Sequence, residues 1–208
     1  MQADKFFTEE EKVRIRETVI EAEANTAGEI VPMLVTSSAR YTEVELLGTI
    51  TGLLVGIMAE WFWSDPWGSH FFNLWPVIGA TAGFLICRIP QVKRLLVPKS
   101  RITDAVHTLA LASFTEYGLH YTRDHTGILI LVSLLEHRVE VLADRGINAK
   151  VEAGTWQEIV HMLTEGLKSK QACDAYVRAI RRCGEILAAH FPRQPDDTDE
   201  LANRLVTE

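Results

Sequence analysis

Two strongly apolar stretches dominate the middle of the chain. Residues 46–63 and residues 71–89 carry very little charge, and a polar loop, residues 64–70, separates them. At a rise of about 1.5 Å per residue, a helix over either stretch covers most of a hydrocarbon core of roughly 30 Å. The pattern therefore predicts a hairpin of two transmembrane helices.

The residues that flank these stretches favour a membrane over a soluble core. Tryptophans, whose amphipathic rings are typical of the headgroup region, cluster around the short loop at Trp61, Trp63, Trp67 and Trp75. The loop contains no Lys or Arg, whereas a basic cluster follows the second stretch: Lys93, Arg94, Lys99 and Arg101. By the positive-inside rule, both termini of the chain are cytoplasmic.

The basic cluster has two interpretations. It is a topology signal that also contacts the bilayer through anionic lipid headgroups, or it recognises a phosphate-bearing lipid or an acidic partner.

Glycine recurs at every fourth position in both apolar stretches. The glycines are Gly48, Gly52 and Gly56 in the first stretch, and Gly79 and Gly83 in the second. Residues four apart share one face of a helix, where a neighbouring backbone can approach closely. These faces either pack the two predicted helices together or contact another membrane protein or a second copy of the chain.

The rest of the chain has the pattern of one α/β domain that the hairpin interrupts. Residues 29–36 and 127–133 are continuously apolar, as strands covered on both faces are, although Pro32 suggests an edge position or an irregularity. Residues 138–143 alternate and predict an antiparallel partner for the second strand. Capping signals and helical spacing predict helices over about residues 8–25, 101–123, 155–168 and 172–190.

The domain boundaries follow from this pattern. Residues 1–45 and 90–192 form the two parts of the α/β domain, residues 46–89 form the hairpin, and residues 193–208 form a short acidic tail. The net charge of −7 argues against nucleic-acid binding. Three cysteines, one of them in a predicted span, do not suggest a disulfide framework and fit a reducing compartment.

Two segments, together with the two closing helices, resemble the TPM-domain (thylakoid-lumen phosphatase-like) family. They are residues 6–35, FFTEEEKVRIRETVIEAEANTAGEIVPMLV, and residues 125–147, HTGILILVSLLEHRVEVLADRGI. The hairpin after the first strand resembles a bacterial branch, which implies the inner (plasma) membrane. The resemblance implies a three-layer α/β/α fold with a small mixed sheet. Members include acid phosphatases, divalent-metal binders and accessory factors of membrane complexes.

The resemblance also implies an acidic turn after the third strand, which this chain has only in part. Asn148 stands where the family has a glutamate, and the glycine-aspartate-tyrosine turn survives only as residues 173–176. Asp144, Glu152 and Asp174 are the candidate ligands for Ca²⁺ or Mg²⁺, or else acids that cap turns and helix starts. Because a hard cation needs several carboxylate oxygens, the missing acids should weaken such a site.

Sheet geometry points to a second surface. If the first two strands are parallel, a crevice at their carboxyl ends faces the bilayer and is lined by Ser37, Ser38 and Ser133, with the acidic turn at the opposite, cytosolic pole. Two functions are therefore open. The preferred one is a non-catalytic accessory, assembly or regulatory module of a membrane protein complex, and the alternative is a divalent-metal-dependent acid phosphatase.

Overall fold

The structure is a computed structural model that describes residues 2–63, 74–122, 124–152, 154–193 and 204–207. The chain forms two compact units. Met1–Ser38 and Asp104–Glu208 make the α/β unit, and Ala39–Thr103 make the helical unit. The helices are α1 (Glu9–Glu23), α2 (Thr42–Trp63), α3 (Leu74–Cys87), α4 (Pro90–Leu96), α5 (Lys99–Glu116), α6 (Arg145–Asn148), α7 (Thr155–Lys168) and α8 (Ala172–His190).

Within the described residues the α/β unit contains a four-stranded sheet in the order β3-β2-β1-β4. The strands are β1 (Glu29–Val35), β2 (Gly127–Ser133), β3 (Arg138–Ala143) and β4 (Val206–Thr207). β1 is parallel to β2 and to β4, and β3 is antiparallel to β2. The predicted strand positions and their mixed pairing agree with this sheet.

Helices cover both faces of the sheet, which explains why β1 and β2 are buried along their whole length. Ile30 and Leu34 face a core that includes residues of α1, α7 and α8. Val31 and Met33, one position along, face a second core with Val106 and Ala110 of α5. Side chains alternate along a strand, so those of β1 pack against helices on both faces of the sheet.

The helix bounds differ from the predicted ones where local backbone geometry intervenes. α1 begins at a capping box in which Thr8 and Glu11 bond each other's backbone N–H, as the sequence suggests. α5 ends at Glu116 rather than near residue 123, because Gly118 adopts a left-handed conformation (φ 72°) that stops the helix.

Three short elements were not predicted from the sequence, namely α4, α6 and β4. β4 lies in the predicted acidic tail and pairs only with Met33 and Leu34. Most of that edge of β1, including Pro32, therefore has no described strand beside it, which suits a residue without an N–H. Two residues are too few to leave a readable strand pattern. Residues 194–203 of the tail lie outside the described residues.

The helical unit contains a helical hairpin. Among the described helices, α2 is long and apolar enough to cross a membrane, and α3 is a shorter apolar helix of 14 residues. Within the described residues, length and composition therefore identify one candidate span, and the second predicted span is not shown. The predicted loop, Trp67 and the first residues of the predicted second span lie outside the described residues.

The two rows of glycine face each other where α2 contacts α3. A Cβ atom on Gly48 would lie 2.6 Å from the carbonyl oxygen of Gly83, and one on Gly56 would lie 2.6 Å from the Cα of Pro76. Gly52 and Gly79 oppose each other in the same way. The glycine faces are therefore buried between α2 and α3, and a partner or a second copy cannot use them unless the hairpin separates.

Candidate functional site

A cavity of about 790 Å³ opens at the carboxyl end of β2. Its wall includes Ser133 from β2, Phe7 from the segment before α1, Leu167 from the last turn of α7 and Cys173 from the first turn of α8. This is the end of the parallel strands at which open α/β sheets usually bind ligands. We call this feature the carboxyl-end cavity.

Of the three serines expected at this end, Ser133 lines the cavity, whereas Ser37 and Ser38 do not. The Ser133 hydroxyl is hydrogen bonded to the carboxylate of buried Glu136, whose other oxygen accepts from the Ser38 N–H at 2.8 Å. Glu136 therefore ties the ends of β1 and β2 together. Ser133 is a structural residue here rather than an activated nucleophile.

Asp174 lies near the carboxyl-end cavity and is paired. Its Oδ1 accepts from a guanidinium N–H of Arg14 at 2.7 Å, and this hydrogen bond raises the pKa of Arg14. The neighbouring thiol of Cys173 is buried, and burial raises its pKa. At neutral pH this corner therefore holds an ion pair and a protonated thiol.

Asp144 lies at the other end of the sheet, where it caps α6. Its Oδ1 accepts from the Arg145 N–H at 2.6 Å, and its Oδ2 lies 3.2 Å from Nδ1 of His125. The Arg145 guanidinium donates to Nε2 of His125 at 2.7 Å, which leaves the proton on Nδ1 to face Asp144. We call these three residues the acidic-turn cluster.

Asn148 and Gly146 complete the acidic turn with structural contacts. Asn148, which stands where the resemblance implies a glutamate, accepts from the Trp156 indole at 2.9 Å and donates to the Ala143 carbonyl at 2.7 Å. A Cβ on Gly146 would lie 2.6 Å from the carbonyl oxygen of His125. The turn is thus held by side-chain amide and backbone packing.

His125 stands 19 residues before Asp144, so their spacing in the sequence does not indicate that the two side chains are in contact. The β2–β3 register pairs Ile128 with Ala143, and this brings the segment just before β2, which contains His125, next to Asp144, the residue after β3. The predicted antiparallel pairing of these two strands implies that their outer ends lie close together, but the contact between His125 and Asp144 depends on the exact register.

The three predicted metal ligands do not form one site. The Asp144 N–H bonds the Gly127 carbonyl at the start of β2, whereas Cys173, next to Asp174, shares the cavity with Ser133 at its end. Seven residues of strand span about 20 Å, so Asp144 and Asp174 cannot coordinate one ion. Among the described residues, no group of three or more His, Cys, Asp and Glu side chains, Glu152 included, is arranged to hold a metal ion.

The basic cluster of the helical unit is partly neutralised. The Lys93 ammonium lies 2.7 Å from Glu45 Oε1, and the Arg101 guanidinium lies 3.5 Å from Glu43 Oε1. Arg94 and Lys99 are exposed and contact no carboxylate in the described part of the chain. The contact of these four residues with lipid headgroups or a partner stays a prediction, and Lys93 and Arg101 differ from the other two in having carboxylate partners.

Comparisons with known proteins place this geometry in context. Residues 91–186 match the TPM domain family. The chain is also similar to the BA42 protein of the psychrophilic bacterium Bizionia argentinensis, solved by NMR, with 21% identity and a TM-score of 0.62. This similarity covers 98% of the chain and 96% of BA42, and at this identity it shows the fold alone. No curated protein matches the chain.

The TPM match begins after the apolar hairpin and contains β2, β3, α6 and α7. It therefore includes the acidic-turn cluster and much of the wall of the carboxyl-end cavity. α1 and β1, on which part of the resemblance rested, precede the matched residues.

Proposed function

We propose that this chain is a membrane-anchored TPM-domain protein that acts as a non-catalytic accessory, assembly or regulatory module of a membrane protein complex. The main support for this proposal is that the acidic residues needed for metal-dependent chemistry lie far apart. Asp144 caps a helix at one end of the sheet, and Asp174 is paired with Arg14 at the other. A set of acids spread in this way supports a binding role better than a catalytic one.

The surface of the helical unit supports an anchor in the bilayer. α2 exposes apolar side chains away from its glycine face, among them Met58 at 71% and Trp61 at 88% of full exposure. α3 likewise exposes Val77 and Leu85. Such surfaces are costly in water and favourable in lipid. In this proposal α2 and α3 both span a bacterial inner membrane, with Arg94 and Lys99 on the cytoplasmic side beside anionic headgroups.

The partner in this proposal is another membrane protein, or a second copy, that packs on the outer faces of α2 and α3. The glycine faces are excluded, because each helix already fills the groove of the other. Small-residue grooves and exposed apolar faces are the surfaces on which transmembrane helices associate, and only the apolar faces are free here.

Purification of the tagged full chain from its native membrane in gentle detergent, at native expression level, tests this role. We expect a membrane protein to co-purify in a fixed ratio and to persist with an Asp144→Asn/Asp174→Asn variant. A matched chain with an unrelated transmembrane hairpin in place of residues 46–89 should lose it. Recovery of the lone chain in every preparation would exclude the accessory role.

The acidic-turn cluster favours one second function, a divalent-metal-dependent acid phosphatase. His125 and Arg145 beside Asp144 could bind a phosphate ester if the ester displaced Arg145 from the ring. The test is hydrolysis of p-nitrophenyl phosphate by the purified chain across pH with Ca²⁺ or Mg²⁺. Activity that is lost in Asp144→Asn but kept in Asp174→Asn would support this function, and no hydrolysis under any condition would exclude it.

A further inference from the structure

The wall of the carboxyl-end cavity is mostly hydrocarbon. Phe6, Phe7, Val139, Leu167 and Ala172 contribute to it, and the rings of Phe6 and Phe7 meet edge to face at 4.8 Å. Its volume falls within the range of about 300–1,000 Å³ that is common for small-molecule sites. A ligand in this cavity would therefore gain most of its binding free energy from burial of apolar surface.

The uncharged polar groups of the wall already have partners in the protein. The Thr164 hydroxyl donates to the Val160 carbonyl at 2.7 Å, and the Ser133 hydroxyl is bonded to Glu136. One oxygen of Glu11 accepts from the Thr8 N–H at 2.9 Å. The wall thus offers few hydrogen-bonding side chains for a peptide backbone or a sugar, which would leave their own polar groups unpaired.

The charge at the rim is predominantly positive. Lys168 and Lys170, at the carboxyl-terminal end of α7, both line the cavity, and Glu11 is the acid in its wall. Lys168 pairs with Glu165 at 2.9 Å on the exposed surface, an arrangement that an incoming anion can replace at little cost. Lys170 has no carboxylate partner in the described part of the chain.

From this combination we propose that the carboxyl-end cavity binds a single-chain anionic amphiphile. The hydrocarbon chain packs against Phe6, Phe7 and Leu167, and the carboxylate or phosphate group binds Lys168 and Lys170. A free fatty acid and a lysophospholipid share this chemistry. A peptide fits less well, because its backbone would find few partners among the paired side chains of the wall.

Photo-crosslinking of the full chain in phosphatidylcholine nanodiscs tests the proposal. The probe is a palmitate with a diazirine on its hydrocarbon chain, and labelled peptides are mapped by mass spectrometry. Lipid-facing peptides of α2 and α3 provide an internal reference for label that comes from the bilayer. We expect additional label on peptides that contain Phe6 and Phe7 or Leu167. Excess unlabelled palmitate and excess lysophosphatidic acid are then added separately. The competitor that removes the additional label shows whether the cavity binds a free fatty acid or a lysophospholipid.

Reversing the charge of Lys170 tests whether the anionic group of the probe binds at the rim of the cavity. Lys170→Glu should lower cavity labelling roughly fivefold relative to the α2 reference and should leave labelling by the uncharged methyl ester of the probe unchanged. Arg178→Glu, an exposed cation of α8 outside the cavity, is the matched control and should change neither. Ala172→Phe, which fills the cavity, should remove the label from both probes.

Two results would overturn the proposal. One is label confined to α2 and α3. The other is a Lys170→Glu chain that labels as strongly as Arg178→Glu. Lys170 is exposed, and glutamate would have to adopt the same positive φ of 59° that lysine adopts there. Lys170→Glu therefore tests the proposal even if Ala172→Phe fails to fold.

Discussion

Gly52 of α2 and Gly79 of α3 approach so closely that a Cβ atom on either residue would overlap the carbonyl oxygen of the other. The backbones of the two helices are therefore in direct contact. Such proximity is possible only where neither residue has a side chain.

Gly52→Ala should consequently destabilise the hairpin. Alanine normally favours a helix over glycine by up to about 1 kcal/mol, but the overlap with the Gly79 backbone should cost about 1–3 kcal/mol. We expect a lower unfolding temperature of the full chain in detergent. Thr51→Ala, at the neighbouring exposed position, is the control and should not lower it. Equal unfolding temperatures for both variants would contradict the α2–α3 contact.

Tyr176 links the helical layer to the sheet. Its buried hydroxyl donates to the Met33 carbonyl at 2.9 Å, and its ring meets Phe7 edge to face. Tyr176→Phe should lower the free energy of unfolding by about 1–2 kcal/mol, as measured by urea titration. Tyr121→Phe removes a hydroxyl from a side chain with 82% exposure and should have almost no effect. A similar loss in both variants would argue against the hydrogen bond.

Alkaline pH should destabilise the α/β unit through Cys183. Complete burial raises the pKa of its thiol to about 12, whereas an unfolded thiol titrates near 9. Because the unfolded chain ionises first, the contribution of Cys183 to stability is complete below about pH 9 and is lost as the pH rises toward 12.

The loss should reach about 3 kcal/mol at pH 11 for this residue alone, at about 1.36 kcal/mol for each of the two pH units above 9. Cys183→Ala, compared with the unchanged chain at each pH, should therefore show a shallower decline between pH 9 and 11. Tyr176, whose pKa burial also raises, is present in both proteins, so the difference isolates Cys183. Parallel curves would refute the assignment.

Asp144 and Asp174 should differ sharply in their effect on stability. Asp144→Ala removes the cap of α6 and the partner of His125, and should cost about 1 kcal/mol or more. Asp174→Ala removes a solvent-exposed pair with Arg14 and should leave the urea midpoint nearly unchanged. If the two variants lose stability equally, the separate roles assigned to these acids are wrong.

The basic cluster should divide into two functional pairs. Arg94→Gln/Lys99→Gln should reduce the phosphatidylglycerol retained by the chain in native mass spectrometry, because both side chains are exposed and have no carboxylate partner among the described residues. Lys93→Gln/Arg101→Gln should retain the lipid but unfold at a lower temperature, since it breaks the contacts with Glu45 and Glu43. Equal lipid loss in the two double variants would instead indicate that all four basic residues contact lipid.

The pattern of apolar positions by itself determined most elements of this protein. β1, β2 and β3 lie where continuous or alternating apolar runs predict them, and α7 and α8 have the predicted bounds, because burial on one or two faces leaves a period in the sequence. Shorter elements leave no period. The short helices α4 and α6 and the two-residue β4 were therefore not predicted.

Tertiary structure decided which residues meet. Glycine spacing allowed two interpretations, and the α2–α3 contact selected packing within the hairpin. Asp144 and Asp174, which sequence alone could combine into one metal site, are separated by the length of β2, while His125 and Asp144, distant in sequence, are joined by the β2–β3 register. Side-chain period records which face of an element is buried and can suggest a hairpin between neighbouring strands. It does not give the order of strands that are distant in sequence, nor which side chains meet in the folded chain.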